Sequence, residues 1–366
     1  MHQPASPFAF PWVGPWLGVA LIALAAGCAS PGHQASDRPG RPEQRYAFSQ
    51  PQMGVPFRVV LYAPDAAVAE AAARAAFARV KQLNDLLTDY DTDSELNLLS
   101  RTAGEGRAVP VSPDLWHVLE RSQALARRSD GAFDITVGPF VSLWRKARWE
   151  QRLPNPTRLA EVRAAVGHEK MVLDPERRSA CLLVPNMHLD LGGIAKGYAV
   201  DAALAVLRER GLPRALVAGS GDLAVGDPPP GQRGWRIEIT PLDVTNAPPV
   251  RFVLLARTAI ATSGDVFQRV EIGGKRYSHI VDPRTGIGLT DHSLVTVVAR
   301  DCTTADSLAT AVSVLGPEKG LRLVRRTPGA AVRMVRQPGE RLEAVESRGF
   351  REFYAQAGPD AGGDLK

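Results

Sequence analysis

Apolar residues alternate through GVPFRVVLYA (54–63), then recur every three to four positions in the Ala-rich segment after it. The first pattern predicts a strand, and the second a helix from Ala66 to about Leu87 with 77, 80, 83 and 87 on one stripe. A second helix opens with Ser112 as N-cap and Pro113 in the first turn, placing Leu115, Val118, Leu119, Ser122, Leu125 and Ala126 on one face. A third runs from about Ile194 to Arg210 and stops at Gly211, with Pro213 beyond it. Short apolar runs at 214–218, 235–240, 251–256, 269–273 and 294–300 read as strands, and a fourth helix begins near Thr303 and ends at Gly316. Adjacent short strands favour antiparallel pairing. The expected fold class is therefore α+β, with mixed or antiparallel sheets and packed helices rather than a doubly wound parallel sheet.

The two ends break this pattern. From Phe8 to Ala26 the chain is apolar and uncharged, and it runs into GCAS. That reads as a signal peptide over 1–27, with Cys28 placed like the acylated cysteine of a lipobox; lipid there would anchor the chain to a membrane surface. The n-region has no Lys or Arg, so an ordinary cleaved signal or one membrane span stays open. Residues 28–48, rich in Pro, Gly, Ser and charge, read as a flexible linker, 49–345 as a single catalytic region, and 346–366 as a largely disordered tail.

The net charge is +5, but bases and acids are interspersed, which argues against nucleic acid as a partner. Only Cys181 and Cys302 remain besides Cys28, with no metal-type spacing, and sequence alone cannot say whether they pair.

Several segments carry candidate chemistry. In LDLGGIAKGYAVD (189–201) two glycines precede a helix whose first turn holds Lys196, a start suited to phosphate or simply a tight strand-to-helix turn. In TTADSLATAVSVLG (303–316), Asp306 and Thr310 share a helix face, as oxygen ligands for Mg²⁺ or as an acid favouring the helix dipole beside a packed threonine. GAFDITVGP (131–139) sets Asp134 among apolar residues, where it could also pin a turn. LLTDYDTDSELN (86–97) sets Tyr90 among acids, able to stack on a planar ring or to cap the core. ATSGD (261–265) suits a polar turn. SHIVDPRTG (278–286) places His279 beside a turn that contains Asp282 and Arg284; His188 and His292 have no motif around them.

Together with Met53-Gly54, these segments, in this order from Met53 to about Gly320, resemble the ApbE family of FAD:protein FMN transferases. The resemblance implies an ApbE-like fold, FAD as substrate, Mg²⁺ as cofactor, and transfer of FMN to a Thr or Ser hydroxyl of an extracytoplasmic acceptor protein. It places FAD contacts on Met53, Tyr90, Ala132, Phe133, Asp134, Asp190, Lys196 and Ile280. Metal ligands fall on the Gly193 carbonyl, Asp306, Thr310 and Thr303. His279 has the chemistry of a general base, with Asp282 as orienter or second base by analogy with other His–Asp pairs. AGSGDLAVG (218–226) departs from the family's usual GGD in that Ser220 adds a side chain where the backbone is normally bare; Asp222 is kept, and a small local shift is expected there. FAD hydrolysis to FMN and AMP, or flavin storage without turnover, are the alternatives. The expected location is the periplasmic face of a bacterial membrane, inner or outer, and a homodimer stays open.

Overall fold

The computed structural model describes residues 42–242, 251–266, 268–339 and 341–355. The signal segment and Cys28 lie outside them. Eight strands form the central sheet: β1 (Gln44–Gln52), β2 (Val55–Ala63), β3 (Ala215–Gly219), β4 (Asp222–Val225), β5 (Thr258–Gly264), β6 (Ser293–Ala299), β7 (Ala331–Arg336) and β8 (Glu343–Glu346). They lie side by side in chain order, every pair antiparallel. Helices α1 (Ala66–Leu87), α2 (Pro113–Arg128), α3 (Gly138–Glu150) and α4 (Ala195–Glu209) are inserted between β2 and β3, and α5 (Cys302–Arg325) between β6 and β7.

The sheet is buried on both faces, and the alternation of its strands shows how. Phe57, Val59 and Leu61 of β2 and Val295, Val297 and Ala299 of β6 pack in one core with α1, α4 and α5. Val60, Ile260 and Val298 point the other way, onto the hairpin Trp235–Ile239/Arg251–Leu255 and Phe350. A strand buried on both sides has no polar face, and every residue of β6 is indeed buried. A satellite core of Phe140, Trp144, Leu159, Tyr277 and Val281 joins α3 to the excursion between β5 and β6.

Four expectations change. The linker does not extend to residue 48, because Gln44–Gln52 pairs along the whole of β2. The described part of the tail is built into the fold: Phe350 is fully buried and Tyr354 bridges Val253. ATSGD is no polar turn; Thr258–Gly264 is a central strand, and Asp265 is a buried partner of Arg276 and His292. The helix that was to stop at Gly316 breaks there (φ 72°), then resumes from Pro317 to Arg325. Cys181 and Cys302 are both free thiols.

Antiparallel register fixes where the chemistry gathers. Phe57 faces Gly219, Gly219 faces Asp222, and Gly264 faces Leu294. The turns Met53-Gly54 and Ser220-Gly221 and the excursion 265–292 therefore sit at the same end of the sheet.

Candidate active site

At that end lies a cavity of about 270 Å³, continuous with a lobe of about 880 Å³; Tyr90, Arg145, Gly192, Lys196 and Gln268 line both. The two lobes suit a ligand of dinucleotide size. Ala132, Phe133, Asp134, Asp190, Gly193, His279, Ile280 and Thr310 line the first lobe. Met53 lines the second from a two-residue hairpin turn with φ of 49° at Met53 and 73° at Gly54, the type in which both residues are left-handed.

The floor is built where α4 crosses α5. A Cβ on Gly197 would overlap the Cys302 carbonyl and stand 2.8 Å from Asp306 Cβ, so only glycine permits this approach. The Gly197 N–H donates to Asp306 Oδ2 at 3.0 Å. Lys196, one residue earlier, contacts Asp222 and lies 3.8 Å from Asp306 Oδ2. Burial opposes the Lys196 charge, but the two carboxylates outweigh it and hold the ammonium protonated. Burial and the neighbouring Asp222 push Asp306 up, against the pull of Lys196. The one cation is thus shared between two buried carboxylates.

The helix start is less open to phosphate than its sequence suggested. Asp190 Oδ1 accepts from Gly192 N–H at 2.8 Å, and Asp306 takes Gly197 N–H. These acids already satisfy donors that a phosphate would use. What remains accessible is the oxygen face. A Cβ on Gly193 would stand 3.0 Å from Thr310 Oγ1, so hydroxyl and turn are in contact. Among the described residues, neither Thr310 Oγ1 nor the Gly193 carbonyl has a hydrogen-bond partner. Also among these residues, no cluster of three or more His, Cys, Asp or Glu could hold a metal. A donor set of one carboxylate, one hydroxyl and one carbonyl fits a hard cation that completes its shell with water and phosphate oxygens. Thr303 does not join it. Its hydroxyl donates to Asp201 Oδ2 at 2.6 Å, and Asp201 also accepts from Cys302 N and Thr303 N, fixing the start of α5.

His279 lines the same lobe. Its Nδ1 is 3.2 Å from the Gln268 carbonyl. A carbonyl only accepts, so Nδ1 carries the proton and Nε2 is left bare. Burial, with Arg148 and Lys196 adding like charge, lowers the pKa to about 4, so the ring is neutral. Asp282 does not orient it: that carboxylate is held by Arg284 at 2.8 and 2.9 Å and organises the turn. Asp282 ends the strand Val281–Asp282 and opens the turn 283–286, so its carboxylate serves the turn that follows it. Arg284, unassigned from sequence, is thus a turn residue that also reaches the Val314 carbonyl.

Asp134 caps the turn after it, accepting from Thr136 N–H and Oγ1–H at 2.8 and 2.7 Å. Tyr90 is 80% exposed, with the Arg145 guanidinium 4.6 Å from its ring centre. Arg145 also pairs with Asp89 and Asp190. Sequence reading missed Arg145, Arg148 and Gln268. WRKARWE reads as a solvated helix end, and nothing local marks two of its arginines as cavity-lining.

The profile of the ApbE family matches residues 53–334. The chain belongs to the ApbE family. An FAD:protein FMN transferase of Haemophilus influenzae is 32% identical over 70% of this chain and 76% of its own length; that of Klebsiella pneumoniae is 33% identical over 82% and 87%. The fold matches the flavin transferase ApbE of Vibrio cholerae with a TM-score of 0.77 at 29% identity, covering 85% of this chain and all of that one. It matches the flavinyl transferase ApbE of Pseudomonas stutzeri at 0.76 and 31%, covering 86% and 98%. The α+β architecture with antiparallel sheets is thus that of ApbE proteins.

Proposed function

We propose that this chain transfers the FMN half of FAD to a Thr or Ser hydroxyl of an acceptor protein, with Mg²⁺ and with release of AMP. The observation that carries the reading is the cavity lining: a neutral imidazole with a bare nitrogen shares the lobe with Thr310 and with Lys196, which Asp222 and Asp306 hold. The names of the relatives support it.

Asp306, Thr310 and the Gly193 carbonyl would hold Mg²⁺, which when bound supplies charge neutralisation at the diphosphate. Tyr90, Phe133 and Ile280 offer the apolar contacts a flavin needs, and Lys196 ties the Asp222 and Asp306 carboxylates together at the edge of the same lobe. The acceptor oxygen attacks the FMN phosphorus, its proton passes to His279 Nε2, and the P–O bond to AMP breaks with the electron pair leaving on AMP. Anchoring through lipid at Cys28, on the periplasmic face of a membrane, is part of the same proposal and rests on the sequence alone.

The test incubates the purified chain with FAD, Mg²⁺ and a flavin-acceptor domain and follows intact mass. One added FMN on the acceptor is expected. Free FMN and AMP with unmodified acceptor would replace transfer by hydrolysis, and intact FAD would reduce the protein to a carrier.

A further inference from the structure

Three cationic side chains line the first lobe: Arg145, Arg148 and Lys196. Two are committed. Lys196 lies between Asp222 and Asp306, and Arg145 between Asp89 and Asp190. In each group the carboxylates already match the one cation. Arg148, three residues after Arg145 on α3, has no carboxylate or other hydrogen-bond partner among the described residues. It is half-buried nonetheless, and burial and Arg145 both push its pKa down.

An arginine in the last turn of a helix ordinarily serves the helix dipole from solvent. That role gives no reason to desolvate an unpaired guanidinium in a cavity already holding two other cations. An anionic ligand gives that reason. A diphosphate entering this lobe meets cations that are already paired, and among the described residues Arg148 is the lining cation without a carboxylate partner. It lines the same lobe as His279.

We propose that Arg148 binds the FMN phosphoryl group of FAD on the His279 side of the cavity, as a catalytic residue that touches the transferred group. The proposal rests on the cavity being the FAD site. A guanidinium there offers two parallel N–H donors to phosphate oxygens, which an ammonium cannot.

The test is equilibrium binding of riboflavin, FMN and FAD to the full chain and to Arg148→Gln and Arg148→Lys, in EDTA, with thermal melting to verify folding. Riboflavin shares the ring system but has no phosphate. Arg148→Gln should weaken FMN and FAD by about ten- to a hundredfold and leave riboflavin unchanged, with Arg148→Lys in between. Equal losses for riboflavin and FMN, or no loss for either, overturn the proposal. Unchanged FMN and FAD affinity with a raised KM for the acceptor domain also overturns it, and assigns Arg148 to acceptor docking instead. Failure of the unmodified chain to bind FAD would be a different result, removing the FAD-site reading on which the proposal stands.

Discussion

Gly197→Ala tests whether the α4–α5 crossing builds the floor of the site. The added methyl would overlap the Cys302 carbonyl and sit 2.8 Å from Asp306 Cβ, where carbon atoms normally stand about 3.5–4 Å apart. The helices must separate by roughly 0.7 Å or more, or the backbone must bend. Overpacking of this kind costs about 1–3 kcal/mol. Weakening the N–H bond to the buried Asp306 carboxylate costs about 1.5–3 kcal/mol more. Better helix propensity returns about 1 kcal/mol. The net expectation is a loss of about 1.5–5 kcal/mol in urea unfolding, with a raised Mg²⁺ requirement because Asp306 moves with α5. Gly349→Ala is the control: no atom lies within 4 Å of its added Cβ, and a change under about 0.5 kcal/mol is expected. Gly197→Ala that unfolds with the control and keeps the same Mg²⁺ half-saturation would refute the close-crossing argument.

Further outcomes follow from the site. His279→Ala should lower kcat by about 10²–10⁴-fold while FAD affinity stays within a few-fold; Asp282→Asn, whose carboxylate contacts Arg284, should leave kcat within a few-fold. Because the folded pKa of His279 is about 4, activity at saturating Mg²⁺ should show no acid limb near its ordinary 6.5; finding one there would contradict the buried, neutral ring. The same shift has a stability sign: between 6.5 and about 4 the unfolded chain takes up a proton that the folded one refuses. Relative to His279→Gln, the unmodified protein should therefore lose stability as pH falls through that window. Asp306, pushed up by burial and Asp222, must shed its proton to ligate a cation, so the Mg²⁺ concentration for half-maximal activity should climb as pH drops below about 7. Titrations at three pH values with a constant midpoint would count against Asp306 as ligand.

Much of the local structure could be read from the chain. Helices α1, α2 and α4 and strand β2 lie within a residue or two of their expected bounds, because their apolar periods, caps and stops are short-range signals. The order of motifs indicated the family. Strands β1 and β8 were hidden, since edge strands carry little apolar pattern: their residues are mostly exposed or half-buried. Strand β5 was read as a turn because TSGD has turn chemistry, whereas its pairing with β4 and β6 overrides that preference.

For the site, sequence determined which residue types were on offer: an imidazole, a Lys after two glycines, an Asp and Thr one helical turn apart. Which of them act together was decided by tertiary structure. Analogy with other His–Asp pairs offers Asp282 to His279, yet the turn gives it to Arg284; the start of α5 gives Thr303 to Asp201. Arg148 acquires its meaning only when the carboxylates around Arg145 and Lys196, some more than 40 residues away along the chain, are seen to be taken. Charge compensation and hydrogen-bond satisfaction are properties of neighbours in space, and in an antiparallel sheet with long excursions those neighbours are seldom neighbours in sequence.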